Sequence, residues 1–550
     1  MSNRPALLKG VISLSDRRHR LRRRTLLKHA AALGGLAAAG SSLTSLGVSK
    51  ASAAKAPTAN ALLFPLISNP TPNPVRLPGG LSSILLNKNL FSQLVRPDPI
   101  TDQPVPDLAK SWEISKDGLT YTFHLRDASF HDGRPVTAGD VKFTMDAIMD
   151  KKVNAAFRTN MGPLKSTTAV DDHTVQLTLE EPYGPLLTML QYNILIMPEH
   201  ALKGQDLNKP TAFVEHPIGS GPYRWKEFVQ GDHLTLTKND KFWDGPPKIA
   251  EVVYEIIPDI NTQIAKLKAG ELDFVMVEPS QITSITGGGV QMSYANQTNY
   301  YYLGINDQNP MFKDPRVRQA LALALDKESI LKNVLLGHGR LVASPISPPM
   351  KWAFDIGLAP LPYDLAKAKS LLSEAGAKME NGVLALNGQP YKFKILVDIG
   401  NPTRKQFGLI AQQQWQALGM QPQMDFQEFN NWYDMTGDMR FDTAVEWWIT
   451  PNDPNALKGG YESKHDGPSP THPNFDDAVT DQLFAQGVRL STPAERKPVY
   501  DKLQRRLKEM QPDVFLNFPN EVRGFSSRVR GFGSVGIRDA LYWTYKWRFA

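Results

Sequence analysis

The chain has 550 residues, 41% hydrophobic and 21% charged, so it is long enough for two or three domains with substantial cores. It contains no cysteine, which excludes a disulfide framework, a cysteine zinc site, a thiol nucleophile and the acylated cysteine of a bacterial lipoprotein. The net charge is +7, but residues 1–53 carry ten Lys and Arg against one acid, so the remainder is at −2 and no nucleic-acid partner is expected.

Residues 1–53 are typical of a twin-arginine export signal. The segment 23–28 (RRTLLK) has the twin-arginine pattern, an Ala/Gly/Leu-rich stretch follows over 30–46, and ASA at 51–53 is an A-x-A cleavage site. The alternative is a basic arm or an uncleaved anchor. No later run approaches the ~18 apolar residues that a membrane helix needs. We therefore expect a soluble periplasmic protein that is not a lipoprotein.

After a Pro/Asn-rich lead over 56–78, strand-like and helix-like segments alternate along the chain. Apolar residues at every second position predict half-buried strands over 121–125 and 175–179. Between these strands, Thr137 is the predicted N-cap of a helix. A strand over 252–257, a helix capped by Asn261 and a strand over 273–277 predict a βαβ-like unit.

The second half of the sequence repeats this alternation on a larger scale. Its predicted elements are, in order, a helix from Pro315, a helix over 365–375, a strand over 393–397, a helix over 407–418, a strand over 424–426, a strand over 441–448, two helices within 475–511 and a strand over 514–518. Two α/β units in one exported chain predict a cleft between two lobes, where ligand sites concentrate.

Several segments carry a resemblance to a known family. They are LAKSWEI at 108–114, DGLTYTFHLR at 117–126, FHDG at 130–133, TAGDV at 137–141, GSGPY at 219–223, and the stretches 239–246, 267–275, 301–306 and 310–326. With these motifs in order, the sequence over 81–532 resembles the family 5 extracellular solute-binding proteins. That family comprises the peptide-, nickel- and opine-binding receptors of ABC importers.

The resemblance implies an α/β, two-lobed periplasmic-binding-protein fold with an extra subdomain in the first lobe. By analogy, lobe I comprises residues 57–303 plus 517–550, with the subdomain at about 94–214, and lobe II comprises 304–516. The lobes of such proteins close on a ligand by a hinge motion. We expect a monomer that binds a small molecule, works with the membrane permease subunits of an ABC transporter, and needs no cofactor.

Family analogy places the ligand between the lobes, near the loop that follows the predicted strand at 441–448. Trp447 and Trp448 are adjacent, so the alternation of a strand sends their rings to opposite faces, and one ring is expected to face the cleft. The alternative is that both rings pack in the core.

A departure from the family pattern occurs in the same loop. Peptide-binding members have an aspartate, three residues before an Asp/Glu-Pro pair, that anchors the α-ammonium of the peptide. This sequence has Thr450 there, ahead of Asp453 and Pro454. A hydroxyl supplies no charge to offset a buried ammonium, so a free-amine peptide held in the usual way becomes doubtful. Asp453 is a substitute, or alternatively a turn or helix-cap acid.

The strand-to-helix loop that contains Asn401 and Arg404 is a second candidate wall of the cleft. An anion there would meet a guanidinium fork and free backbone N–H groups at the start of a helix. The alternative is an exposed surface arginine. Tyr301 and Asn306 lie at the implied crossover between lobes and are candidate ligand contacts from the hinge, with core packing as the alternative for the tyrosine.

These observations leave three functions open. The first is a receptor that captures a peptide-like or other small organic solute for an ABC importer, which is not an enzyme. The second is a metal or metallophore receptor of the same family. Among the histidines, only His465 and His472, in the Gly/Pro-rich loop over 459–473, are candidates to meet a metal; the alternative for this loop is a flexible rim, and we assign no metal ligands. The third is an exported hydrolase, but no catalytic residues stand out and no P-loop or dinucleotide motif occurs.

Overall fold

The structure, a computed structural model, describes residues 60–76, 80–98, 101–449, 452–463, 475–532 and 541–550. These residues form helices and mixed sheets, the largest with eight strands. Within these ranges, no helix combines the length and the apolar character required to cross a membrane. The predicted export signal over 1–53 lies outside the described residues.

Two series of elements follow one another along the chain. The elements before residue 298 are β1 (Ala61–Leu66), α1 (Gly80–Leu90), β2 (Val95–Pro97), β3 (Pro104–Pro106), β4 (Ala109–Ile114), β5 (Thr120–Leu125), α2 (Ala138–Met149), β6 (Leu164–Asp171), β7 (Thr174–Leu179), α3 (Leu186–Leu190), α4 (Glu199–Leu202), α5 (Thr211–Glu215), β8 (Tyr223–Val229), β9 (His233–Lys238), β10 (Glu251–Ile256), α6 (Ile260–Ala269), β11 (Phe274–Val277), α7 (Ile282–Ile285) and β12 (Val290–Asn296). The later elements are β13 (Asn299–Ile305), α8 (Pro315–Leu323), α9 (Lys327–Asn333), β14 (Gly339–Leu341), α10 (Leu365–Glu374), β15 (Ala377–Glu380), β16 (Val383–Leu386), β17 (Gln389–Pro390), β18 (Lys392–Asp398), α11 (Pro402–Gln416), β19 (Gln421–Gln427), α12 (Phe429–Gly437), β20 (Thr443–Ile449), α13 (Lys458–Tyr461), α14 (Ala478–Arg489), α15 (Pro493–Met510), β21 (Asp513–Ser526), β22 (Val529–Arg530) and β23 (Arg548–Phe549).

A four-stranded sheet in the order β1-β10-β9-β8 begins the described fold. Strand β1 runs parallel to β10, and all six of its residues are buried. We predicted no element in the lead over 56–78, so β1 is an addition. Its sequence, ALLFPL, is a short apolar run without alternation, and such a run does not identify a strand by its period.

A second four-stranded sheet, β4-β5-β7-β6, is antiparallel and packs against α2. The alternation predicted over 121–125 and 175–179 is confirmed, because every second side chain of β5 and β7 is buried. Helix α2 begins after Thr137 as predicted, and the Thr137 backbone N–H donates to the Asp140 carboxylate at 2.8 Å. This sheet has a hydrophobic core of its own.

The predicted βαβ-like unit over 252–277 is wrong in its topology. Strand β10 belongs to the first sheet, whereas β11 pairs antiparallel with β21 in a different sheet. Helix α6 between them is capped by Asp259, whose carboxylate accepts from the Thr262 N–H at 2.8 Å, and not by Asn261. Strand succession alone does not say which sheet a strand joins, because that choice depends on distant partners.

The eight-stranded sheet is ordered β11-β21-β13-β20-β18-β19, with β12 and β14 also paired to β21. Strands β18, β19 and β20 are mutually parallel, whereas β13 runs antiparallel to β20. The predicted strand, helix and strand over 393–426 are confirmed as β18, α11 and β19. Apolar clusters cover both faces of this sheet, one beneath α8 and α11 and the others beneath α12 to α15.

Strand β21 is the longest strand of the described chain and extends beyond the predicted range of 514–518. Its first residues pair with β13, near Val514 and Asn517, and its last residues pair with β11 and β12, near Val522 and Phe525. One strand therefore belongs to both parts of the eight-stranded sheet. One part contains β13, β20, β18 and β19, and the other contains β11 and β12.

A buried chain of hydroxyl groups ends at the first residue of β21. The Tyr300 and Tyr461 hydroxyls lie 3.0 Å apart, and Tyr461 donates to Asp513 Oδ2 at 2.7 Å. Burial raises the pKa of Asp513 to about 7, although the bond from Tyr461 opposes the shift. The folded protein therefore retains a proton that the unfolded chain releases near its usual pKa of 3.8.

We expect the free energy of unfolding to fall as the pH rises from about 4 to about 7, by up to about 1.4 kcal/mol per pH unit from this one group. The sign follows because the folded state binds more protons than the unfolded state in this window. Asp513→Asn carries no titrating proton and will show a flatter dependence, measured by denaturant unfolding at several pH values. Parallel curves for the two proteins would contradict this assignment.

Candidate functional site

The candidate site lies at the carboxyl ends of the parallel strands β18, β19 and β20. In open α/β sheets, ligands bind in the crevice beyond this edge. Strand β18 leads through Asp398 into a short loop, and Asn401 caps α11 by accepting from the Arg404 N–H at 2.9 Å. The end of β20 brings Trp447 and Trp448 to the same edge.

Arg404 is a buried residue of the first turn of α11, not an exposed surface arginine. Its Nη2 contacts Asp398 Oδ2 at 3.0 Å, and its guanidinium carbon lies 4.6 Å from the ring centre of Trp432 and 6.0 Å from that of Trp447. The Nε and Nη1 atoms have no hydrogen-bond partner among the described residues. Two nitrogens of this guanidinium therefore lack a hydrogen-bond partner within the described chain.

Tyr301 and Glu278 join the site from the other part of the large sheet. The Tyr301 hydroxyl donates to Glu278 Oε2 at 3.2 Å, and its ring meets Phe407 edge-on at 5.0 Å. Burial raises the pKa of Glu278, while the Tyr301 bond and the Arg404 charge oppose the shift. Glu278 follows β11, so this contact connects the two parts of the sheet around Arg404.

The adjacent tryptophans point to opposite faces of β20, as the alternation predicts. Trp447 lies opposite Tyr301 and packs on the cluster beneath α11, and Trp448 lies opposite Tyr300 and packs on the cluster beneath α14 and α15. Both rings are half-buried. Trp447 is the one beside Arg404, so it is the better candidate for solute contact.

Asp453 has a structural role in this protein. Its carboxylate accepts from Arg496 Nη1 and Nη2, both at 2.7 Å, and from the Asn455 N–H at 2.8 Å. Of the alternatives that the sequence leaves open for Asp453, the geometry matches the turn and helix-cap acid. Thr450, the residue in place of the ammonium-binding aspartate, lies outside the described residues, as do His465 and His472.

Asn306 does not join the other candidates. Its amide donates to the carbonyls of Met439 and Phe441 at 3.3 and 3.0 Å, and its Oδ1 accepts from the Gln308 N–H. It follows the end of β13 that pairs with the start of β20, five residues after Tyr301, a span of about 17 Å along a strand. The structure thus separates Asn306 from Arg404 and Trp447.

Asn517 is a further candidate site residue, which the sequence interpretation missed. It lies opposite Tyr301 across β13 and β21, so it faces the same side of the sheet, and its side chain is fully buried. Neither its Nδ2 nor its Oδ1 has a hydrogen-bond partner among the described residues. An asparagine inside the apolar run VFLNF was the available signal, because an unpaired amide is costly in a strand core.

Several of the buried polar atoms without partners belong to residues at or next to this edge. Besides Arg404 and Asn517, they include Thr403 Oγ1, Asn299 Oδ1 and both amide atoms of Asn452. Proteins rarely leave buried polar groups unpaired, so these atoms are candidates for hydrogen bonds to a bound solute or to water. Within the described ranges, no group of three or more His, Asp or Glu side chains is arranged to hold a metal ion.

Comparison with known proteins also indicates a solute-binding protein. Residues 103–468 match the family model described as bacterial extracellular solute-binding proteins, family 5 Middle. The oligopeptide-binding protein AppA of Bacillus subtilis is 30% identical over 475 residues, which cover 84% of this chain and 86% of AppA. The structure of AppA in complex with a nonapeptide matches with a TM-score of 0.76 at 28% identity, over 89% of this chain and 99% of that chain.

The crystal structure of NikZ from Campylobacter jejuni in complex with Ni(L-His) matches with a TM-score of 0.78 at 27% identity, over 89% of this chain and 99% of that chain. These matches confirm the two-lobed α/β fold class and the solute-binding receptor function, without enzymatic activity, that the resemblance implies. The chain belongs to the family 5 bacterial extracellular solute-binding proteins.

Proposed function

We propose that this protein captures a peptide-like or other small organic solute at the carboxyl ends of β18 and β20 and delivers it to the permease subunits of an ABC importer. The cluster of buried, unpartnered polar atoms around Arg404 and Asn517 is the observation that carries the proposal. The proximity of Trp447 supports it, because a large ring covers a solute at a low cost in side-chain entropy.

The proposal includes the division into lobes and their closure. Lobe I comprises 57–303 plus 517–550, with its subdomain at about 94–214, and lobe II comprises 304–516. Separate apolar clusters in these parts support this division, although Tyr301 and Leu303, at the end of the first segment of lobe I, pack in the cluster of lobe II. Bonds such as Asn455 Nδ2 to the Tyr183 hydroxyl, at 2.9 Å, would form when the subdomain meets lobe II. A closable cleft with higher affinity in the closed state is all that a receptor requires.

The proposed location is the periplasm, reached through the twin-arginine signal over 1–53, with the mature protein as an unlipidated monomer. The RRTLLK motif and the A-x-A site support the signal, and the absence of cysteine from the sequence supports the missing lipid anchor. AppA is described as an oligopeptide-binding protein. A peptide-like solute is therefore the first class to test here.

The mature protein purified from its host is expected to carry one bound small molecule, detected by native mass spectrometry. Trp447→Ala will lower its occupancy by removing ring contact, by about tenfold in affinity if ~1.4 kcal/mol is lost. Trp112→Ala, at a partly buried tryptophan of β4, is the matched control and will retain the molecule. Chemical turnover of that molecule by the pure protein would overturn the receptor function.

A further inference from the structure

An aromatic surface extends from the candidate site to solvent along the start of α12. We define the aromatic shelf as Phe429, Trp432 and Tyr433. The Phe429 ring lies 5.8 Å from the Trp432 ring and 6.1 Å from the Tyr433 ring, with interplanar angles of 30° and 29°. Trp432 is buried beside Arg404, whereas Phe429 and Tyr433 are 48% and 49% exposed. Contiguous exposed aromatic rings are typical of a surface that binds a ligand or a protein partner.

The charged side chains of the site are already matched within the chain. Asp398 holds Arg404 at 3.0 Å, and Asp453 is held by both terminal nitrogens of Arg496. Glu278 accepts from Tyr301, and burial raises its pKa and so favours its neutral form. Glu446, the buried acid before Trp447 in β20, accepts from the Tyr302 hydroxyl at 2.9 Å, and burial raises its pKa and so favours its neutral form. In the part of the chain that the structure describes, these four acids leave no unpaired carboxylate for an ammonium group. Likewise, Arg404 has no unbalanced positive charge for a carboxylate.

The unpartnered atoms instead suit uncharged amide groups. Arg404 has two nitrogens without a partner, and Asn517 has an NH₂ group and a carbonyl oxygen without a partner among the described residues. An asparagine amide is chemically equivalent to a peptide group, so it can donate to the C=O and accept from the N–H of one. Glu428 and Lys405, which adjoin Phe429 and Arg404 in the sequence, are exposed charges of opposite sign, and solvent screens them.

We propose that the solute enters this site with an uncharged, amide-bearing part against Arg404 and Asn517, and lays a flat apolar group on the aromatic shelf. This inference rests on the proposed receptor function and specifies its solute class. The shelf and the free donors are continuous, because the Arg404 guanidinium carbon is 6.0 Å from the Phe429 ring centre and 4.6 Å from that of Trp432. A molecule held by the guanidinium thus meets the shelf directly.

The test uses three dipeptide probes on the mature protein after removal of co-purified solute. They are N-acetyl-Phe-Phe-amide, zwitterionic Phe-Phe, and N-acetyl-Ala-Ala-amide. By isothermal titration calorimetry, the capped aromatic probe is expected to bind at least about tenfold more tightly than Phe-Phe, because two terminal charges would be desolvated without partners. Tighter binding of Phe-Phe, or no binding of the capped probe at 1 mM, overturns the inference. Neither result affects the receptor function, which the co-purified molecule tests independently.

A pair of variants tests the shelf. Phe429→Ala combined with Tyr433→Ala is expected to weaken N-acetyl-Phe-Phe-amide by about tenfold and to leave N-acetyl-Ala-Ala-amide unchanged, because only the first probe has rings to stack. Tyr363→Ala, at an equally exposed tyrosine elsewhere, is the control. Equal losses for both probes overturn the inference. If the double variant binds both probes as the wild type does but no longer supports uptake in cells, the shelf contacts the permease and not the solute. That result would also overturn the inference.

Discussion

Arg496→Ala will lower the free energy of unfolding by about 3–5 kcal/mol, the range for removing one partner of a buried ion pair. The substitution leaves the buried Asp453 carboxylate without its two guanidinium bonds. It also removes the bond from Arg496 Nε to the Gly487 carbonyl, at 2.9 Å, and the contact of the guanidinium with the Trp352 ring. Thermal and denaturant unfolding of the mature protein will measure the change.

Arg505→Ala is the matched control for this prediction, because it removes an arginine from the same helix, α15. Arg505 contacts Asp355 at 3.0 Å, but its side chain is 60% exposed. Exposed pairs contribute at most about 1 kcal/mol, so this variant will unfold close to the wild type. Similar losses in the free energy of unfolding for the two variants would show that the buried pair stabilises this fold no more than the exposed pair does.

Gly184→Ala will hold the proposed lobes apart and weaken solute binding by at least about tenfold, since closed-state contacts contribute to affinity. A Cβ at Gly184 would lie 2.1 Å from the Leu490 carbonyl oxygen, a distance that no relaxation of a side chain relieves. The bond from the Gly184 N–H to the Val488 carbonyl, at 2.8 Å, would be lost as well. Small-angle X-ray scattering of the solute-loaded variant will give a larger radius of gyration than the wild type.

Gly357→Ala provides the control, because a Cβ there meets only the Asp355 carboxylate at 3.4 Å. We expect its scattering and its occupancy by the co-purified molecule to match the wild type. If Gly184→Ala instead lowers the melting temperature strongly and leaves solute occupancy intact, the contact belongs to the folded core and has no part in closure.

The elements with regular local patterns could be predicted from the sequence. Alternation identified β5, β7 and β18, and a helix was predicted over 407–418, where α11 begins earlier, at Pro402 after the Asn401 cap. The family motifs added the two-lobed fold, which periodicity alone did not establish. The loop from β18 to α11 was placed at the candidate site for the same reason, and Arg404 and Trp447 do lie together there.

The remaining features depend on partners that are distant in the sequence. From the sequence alone, Asp453 is an acid that is available to a ligand. In the structure it is bound by Arg496, which lies 43 residues later. Asn517 becomes a site residue only through its pairing with Tyr301, more than two hundred residues earlier. Strand β1 is defined by its pairing with β10 and not by its own period. Local propensity carries no information about such contacts, which decide both burial and charge.

Strand β21 has a consequence for how this chain folds during synthesis. Domains usually fold as units while the ribosome is still adding residues. Here β11, β12 and β13 all hydrogen-bond to residues 513–526, which follow them by more than two hundred residues. Neither part of the large sheet is complete until these residues have been synthesised, so the nascent chain lacks its central strand while the intervening residues are added.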